Sequence, residues 1–488
     1  MTTTHRWRAF TILAVSYFMT IVDLTIVNVA LPTIGRDLHF SESGLQWVVT
    51  AYGLTFGGLL LLGGRAADLL GRRRIFMLGL AVFTAASLAC GLAGSDAFLI
   101  VMRGVQGAGA AIVLPAALSI VMNMFEEGAE RNKALGLWGG IGASGATVGL
   151  ITGGLLTRYI GWEYIFFLNI PIGAAALALA PRLVPESRLE TARRRYDPLG
   201  ALTVTGALLL LVYAISTAPQ DGWATAKTIG SLTVSAVLLV SFVLIEARVE
   251  APLLPLRMLR MRTVAGANSV GFLLGASFFA FVFVGTLYMQ QVLGYSALKT
   301  GLAWLAASLT SVALAGLSQL LVTRIGPAPV LVAGMAMIAG GTAWATQVGV
   351  HGQFWADLAG PFFVAGAGTA FAFIPISIAG LTGVAARDAG LASGLLNTAQ
   401  QLGGAIGVAV ASTVAASHAK ALAAAGRLPS EALTGGFQWA FWVCTAIAVV
   451  GVPIALVVPR RMPQPEPVVL AAAEQSQDPE SALTWRTS

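Results

Sequence analysis

A chain of 488 residues with 57% hydrophobic and only 10% charged residues, and a mean hydropathy of +0.80, is not a soluble domain, which would carry about 25% charge. The net charge of +7 comes from 29 Lys and Arg against 22 Asp and Glu. These basic residues sit in short loops beside apolar stretches and form no continuous basic face, which argues against a nucleic-acid partner.

From the N-terminus the chain delivers fourteen apolar windows, at residues 9–31, 46–64, 75–94, 98–121, 135–157, 164–181, 199–217, 228–246, 264–289, 301–322, 328–348, 355–380, 393–416 and 437–458. Each reaches or approaches the roughly 20 residues that cross about 30 Å of hydrocarbon, so the expected fold class is an all-α polytopic membrane protein. The first window lacks a small-residue cleavage site and a second span follows it, so it reads as a retained helix. With the N-terminus inside, 22 of the Lys and Arg residues fall on one side, 6 on the other, and Arg103 alone lies within a window. The positive-inside rule makes the larger set cytoplasmic. That set includes Arg6, Arg8, the cluster Arg65, Arg72, Arg73 and Arg74, the run Arg193, Arg194 and Arg195, and Arg248, Arg257, Arg260 and Arg262. An even number of spans returns the C-terminus to the cytoplasm. Arg outnumbers Lys 25 to 4 amid abundant Ala and Gly, the bias of a GC-rich bacterial genome, so a bacterial plasma membrane is the expected location. Cys90 and Cys444 both fall inside windows and give no disulfide framework.

Two long cytoplasmic connections bracket the seventh and eighth windows. The expected organisation is a six-helix bundle over 1–181, a linker with two inserted spans over 182–262, a second six-helix bundle over 263–459 and a disordered cytoplasmic tail over 460–488. In the second connection Pro252 and Pro255 break helix, while Leu253, Leu254, Leu256 and Arg257 suit a segment lying along the bilayer surface. The stretch from Ser417 to Gly435, with Lys420, Arg427, Pro429 and Glu431, reads as the longest external loop.

Ionisable groups inside spans mark chemistry, because an isolated charge in hydrocarbon costs roughly 2.5–3.5 kcal/mol on insertion scales. Asp23 lies in the first window, roughly 12 Å below the outer surface, and Arg103 in the fourth at roughly 9 Å. At similar depth they form either a static structural pair or a carboxylate that exchanges a proton when its surroundings change.

The residues from Asp23 to Pro32, Asp-Leu-Thr-Ile-Val-Asn-Val-Ala-Leu-Pro, resemble the first-helix signature of the fourteen-helix drug:proton antiporters of the major facilitator superfamily, the branch of multidrug resistance protein B and the quaternary-ammonium exporters. Gly64, Arg65, Asp68, Gly71, Arg72 and Arg73 fall in a stretch similar to that superfamily's hallmark loop, with Leu69 where a basic residue is usual. By the resemblance this loop latches the cytoplasmic gate. On its residues alone it is also a positive-inside anchor in which Asp68 and Arg72, four apart, can pair. Arg103-Gly104-Val105-Gln106-Gly107 resembles the proton-coupling motif of the fourth helix, with Arg103 and Gln106 on one face. Gln106 can touch substrate or bond a neighbouring helix. Gly145, Gly149, Gly153 and Gly154 in the fifth window resemble the antiporter motif of exporters, with Leu150 where proline is usual; small residues four apart also simply let helices approach. The stretches 162–173 and 390–404 resemble the fourteen-helix branch again.

The resemblance implies the major facilitator fold, with two six-helix bundles plus two inserted helices. The function it implies is alternating-access export of small amphipathic drugs or antibiotics driven by protons. A proton-coupled carrier of the same fold for a specific metabolite or lipid-like molecule is the alternative. The second bundle has Gln319 where some relatives carry an extra carboxylate, which removes the usual support for divalent cations. Tyr52, Phe56, Gln106, Trp138, Phe283, Tyr288 and Asn397 are candidates to line a greasy cavity, or to serve as packing residues. No Walker loop occurs, since Leu298 stands where the stretch from Gly294 to Thr300 would need glycine. Four scattered histidines have no metal-ligand spacing, so neither an ATP-driven pump nor a metalloenzyme is expected, and no cofactor is called for. The expected partners are a small amphipathic substrate, protons and the bilayer, with the protein acting as a monomer.

Overall fold

The computed structural model describes residues 3–40, 42–126, 129–187, 197–249, 252, 254, 256–384 and 388–459, and the regular structure among them is helical. In order these helices are α1 (Thr3–Asp37), α2 (Glu42–Leu70), α3 (Arg72–Gly91), α4 (Asp96–Met124), α5 (Ala129–Tyr159), α6 (Tyr164–Phe167), α7 (Asn169–Leu183), α8 (Pro198–Asp221), α9 (Ala226–Glu246), α10 (Leu256–Arg260), α11 (Arg262–Gln291), α12 (Ala297–Ile325), α13 (Pro327–Ala345), α14 (Ala359–Leu381), α15 (Ala389–Ala424) and α16 (Pro429–Ala455). A bilayer offers no water to the main chain, so each span must close its hydrogen bonds internally, and helices do this. Some hydroxyls inside the spans bond to their own helix in the same way: Ser16 donates to Ile12 O at 2.9 Å and Thr369 to Ala365 O at 2.7 Å.

Among the described residues twelve helical stretches are long and apolar enough to cross a membrane, α6 and α7 counting as one. Helices α5 and α8, of 31 and 24 residues, occupy the places of the fifth and seventh expected spans, which is consistent with fourteen. Helices α1 to α7 pack as one bundle, with α4 on α2 and α3, and α1 on α5 and α7; helices α11 to α16 form the other. The bundles meet along two seams, where α15 lies on α2 and α4, and α5 lies on α12 and α14. The inserted helices pair with each other. Helix α8 rests on α2 and α15, whereas α9 turns Ile229, Val234, Val237 and Val240 outward, the surface a lipid-facing helix requires. At the last residue of α8, the Asp221 carboxyl is held below its ordinary range by a hydrogen bond from Lys227.

Two expectations need correction. The stretch Ser417 to Gly435 is not a long loop: α15 runs on to Ala424 through an alanine-rich turn and α16 starts at Pro429. The connection before α10 does not simply lie along a surface, because Leu254 and Met258 are buried in the core of the first bundle and Arg65 donates to Pro252 O at 3.2 Å. The arginine run 193–195 and the tail 460–488 lie outside the described residues.

Candidate functional site

Asp23 and Arg103 are both fully buried, on α1 and α4, and Arg103 Nη1 donates to Asp23 Oδ2 at 2.7 Å. The same Nη1 donates to Gln106 Oε1 at 2.7 Å, and Arg103 Nε to Val48 O at 3.0 Å. Gln106 Nε2 and Asn169 Nδ2 each donate to Asp23 Oδ1 at 2.8 Å. The side chain of Gln106 is thus spent inside the cluster. Asn169 comes from the first turn of α7 and also donates to Ser87 Oγ at 3.0 Å; Ser87 in turn donates to Phe166 O at 2.9 Å. The guanidinium lies 4.3 Å from the centre of the Tyr52 ring and 5.7 Å from that of Phe166, a cation held between aromatic faces. Cys90 reaches Gln106 Oε1 at 3.8 Å and is a free thiol. Asn169, Ser87, Cys90 and Phe166 were not singled out by sequence, because neutral polar and aromatic residues are unexceptional in a helix.

The glycines of the fifth window set the distance between α1 and α5. A Cβ at Gly149 would strike Thr25 Oγ1 and lie 2.8 Å from Val22 O, one at Gly153 would lie 2.6 Å from Ile26 O, and one at Gly145 2.6 Å from Ile21 Cγ2. Gly154 differs, facing α12 with Leu298 Cβ at 3.6 Å, an ordinary contact. Gly149→Val is therefore expected to force the helices apart and lower the melting temperature, by the overpacking logic that costs about 1–3 kcal/mol. Gly154→Ala should melt as wild type in the same assay.

The loop between α2 and α3 turns at Gly71, whose φ of 109° belongs to glycine. Asp68 is fully buried and accepts from Arg72 Nη2 at 2.8 Å and from Ser119 Oγ at 3.3 Å. It also accepts the main-chain N–H of Gly390 at 3.2 Å and of Leu391 at 3.0 Å, thereby capping α15 of the opposite bundle. Close backbone contact backs this up, since a Cβ at Gly64 would strike Gly390 O. Arg65 reaches Asp388 at 3.9 Å across the same seam, while Arg73 pairs with Glu186 at 3.7 Å.

The cavity candidates fall into different surroundings. Tyr52 is closed off beneath Arg103, with its hydroxyl donating to Thr20 O at 3.3 Å, and Phe56 packs beside it in the same core. Trp138 stacks on Tyr17 with centroids 4.3 Å apart. Tyr288 is fully buried in the second bundle and donates to Gly349 O at 2.6 Å. Phe283 lies exposed on α11, and Asn397 donates to its own turn at Ser393 O at 2.9 Å. A cleft of about 600 Å³ opens elsewhere, lined by Tyr295, Lys299, Phe354 and Trp355 among others.

The Major Facilitator Superfamily profile matches residues 13–408. The chain is 36% identical over 448 residues to the puromycin resistance protein pur8 of Streptomyces alboniger, covering 91% of this chain and 89% of that one. It is 38% identical over 413 residues to the cephamycin export protein CmcT of Amycolatopsis lactamdurans, covering 84% and 85%, and 37% identical over 414 residues to the multidrug resistance protein Stp of Mycobacterium tuberculosis, covering 84% and 76%. The crystal structure of the human organic anion transporter MFSD10 shares the fold, with a TM-score of 0.66 at 14% identity over 93% of this chain and 100% of that chain. A match spanning most of the chain, two bundles of helices and relatives above 30% identity place it without ambiguity: the chain belongs to the Major Facilitator Superfamily of membrane transporters.

Proposed function

We propose that this protein is a secondary exporter of small amphipathic antibiotics, driven by proton antiport through alternating access and working as a monomer in a bacterial plasma membrane. The observation that carries the proposal is Asp23, a carboxylate with no exposure, held by a guanidinium and two amides between α1, α4 and α7. A buried group of this kind changes its proton occupancy when a helix moves, because burial favours the neutral form and the adjacent cation the charged one. The antibiotic class comes from the relatives named for puromycin resistance and cephamycin export. In this proposal both termini lie in the cytoplasm, which the distribution of Lys and Arg supports. With that orientation Asp68 and the start of α15 shut the cytoplasmic side.

Energetics sets the scale of what such a carrier can do. One pH unit supplies about 1.4 kcal/mol, or roughly tenfold accumulation for electroneutral exchange, and one net charge moved through 100 mV adds about 2.3 kcal/mol. Expression in a host stripped of its own exporters should raise tolerance to puromycin, a cephamycin or ethidium, and adding that drug to energised everted vesicles should release protons. Unchanged tolerance to the whole panel, with no proton movement, would reject the proposal.

A further inference from the structure

Each polar contact of the Asp23 carboxylate is with an N–H donor: Arg103 Nη1 at 2.7 Å, Gln106 Nε2 at 2.8 Å and Asn169 Nδ2 at 2.8 Å. Such a shell fits the ionised form alone, since a protonated carboxyl brings a donor of its own and needs an acceptor. Two side chains can supply one. Gln106 Oε1 is already engaged by Arg103 at 2.7 Å and by Cys90, whereas among the described residues the Asn169 side chain bonds to Asp23 and, at 3.0 Å, to the hydroxyl of Ser87. A hydroxyl donates or accepts by rotating, and an amide exchanges donor for acceptor by turning over.

We propose, building on Asp23 as the proton carrier, that Asn169 and Ser87 are positioning residues forming a two-state hydrogen-bond relay that reads the charge of Asp23 and passes it to the main chain at Phe166. When Asp23 is ionised, Asn169 Nδ2 donates to both Asp23 and Ser87, and Ser87 donates to Phe166 O at 2.9 Å. When a proton binds Oδ1 of Asp23, the Asn169 amide turns over. Its oxygen then accepts from the new carboxyl O–H and from the Ser87 hydroxyl. The number of hydrogen bonds at Asn169 is kept, and the bond from Ser87 to Phe166 O is given up, which loosens α3 from α6. Phe166 also carries one of the two rings flanking Arg103, so the change returns to the cation. The other titratable or charged groups around Asp23 are Arg103 from α4, Tyr52 from α2 and Cys90 from α3. Helices α6 and α7 bring uncharged Phe166 and Asn169, and α5 brings the motif glycines.

Infrared difference spectra of the full-length protein in liposomes, stepped between alkaline and acid buffer without substrate, test the relay. The wild type should show a carboxylic-acid band that is lost in Asp23→Asn and a side-chain amide band that is lost in Asn169→Asp. The amide band should also vanish in Asp23→Asn and shift in Ser87→Ala. Asn169→Leu should cut proton-driven efflux of ethidium at least tenfold, and the isosteric Asn169→Asp, which can both donate and accept when protonated, should recover part of it with an altered pH profile. A carboxyl band without an amide band, or an amide band that persists in Asp23→Asn, overturns the relay while leaving proton coupling standing. Absence of the carboxyl band from the wild type overturns both.

Discussion

Asp23→Asn is expected to abolish proton-driven export and to lower stability, and the second effect separates the two partners of the ion pair. Removing one member of a buried pair costs about 3–5 kcal/mol when the other stays charged. Arg103 has no way to discharge, because a guanidinium keeps its proton. Its Nη2 already lacks an acceptor among the described residues, so losing the carboxylate leaves the cation with neutral acceptors, among them Gln106 Oε1 and the Val48 carbonyl, and no counter-charge. Asp23 left without Arg103 can bind a proton and become neutral. The melting temperature should therefore fall further in Asp23→Asn than in Arg103→Gln. The double variant Asp23→Asn/Arg103→Gln should recover most of the lost stability and none of the transport. Melting curves in detergent together with efflux in vesicles check both halves; equal melting temperatures for the two single variants would mean that the pair is not the energetic unit described.

Asp68→Asn is expected to favour opening of the seam between α2 and α15. In the wild type one carboxylate takes two donors from Arg72, one from Ser119 and two main-chain N–H groups at the start of α15. An anion at a helix N-terminus is worth about 0.3–1 kcal/mol when exposed and up to about 2 kcal/mol when partly buried. Losing about 2 kcal/mol from the closed state shifts a two-state equilibrium roughly 30-fold. Spin labels at Leu70→Cys and Ile325→Cys, on ends of α2 and α12 at the same side of the molecule, should report a longer distance population in Asp68→Asn. Cys90 and Cys444 are buried and will not take label. An unchanged distance distribution would make the loop an anchor and not a latch.

The parts of the site that stood out in sequence were those whose cost in hydrocarbon makes them exceptional. Asp23 and Arg103 were visible because charges in apolar windows need partners, and Gln106 because it lies one turn from Arg103. Asn169 sat inside a recognised stretch without a role, since nothing local shows that its amide meets a residue 146 positions earlier. The far partner of Asp68 was out of reach for a different reason: Gly390 and Leu391 contribute main-chain N–H groups, which carry no side-chain signature, from 322 and 323 residues away. Tyr52 and Tyr288 read equally as cavity walls or as packing residues, because aromatic residues suit a greasy cavity and a packed core alike, and burial is the property that sequence does not show. The charged run near Lys420 suggested a loop, yet alanine carries α15 through it to Ala424.

The glycine contacts of α5 have a mechanical meaning. Where Gly149 and Gly153 meet α1, they face its main chain at Val22 and Ile26, and the side chains at the contact, Thr25 and Ile26, are β-branched and stiff, with little play to take up. Soft contacts absorb small displacements by changing rotamer; close-packed backbones cannot. Helix α1 carries Asp23, and α5 carries on its other face the seam with α12 and α14. A shift of α1 of a few tenths of an ångström is therefore expected to reach the opposite bundle with little damping, as through a shaft with small backlash, and a side chain grown at Gly149 would act like grit in that bearing.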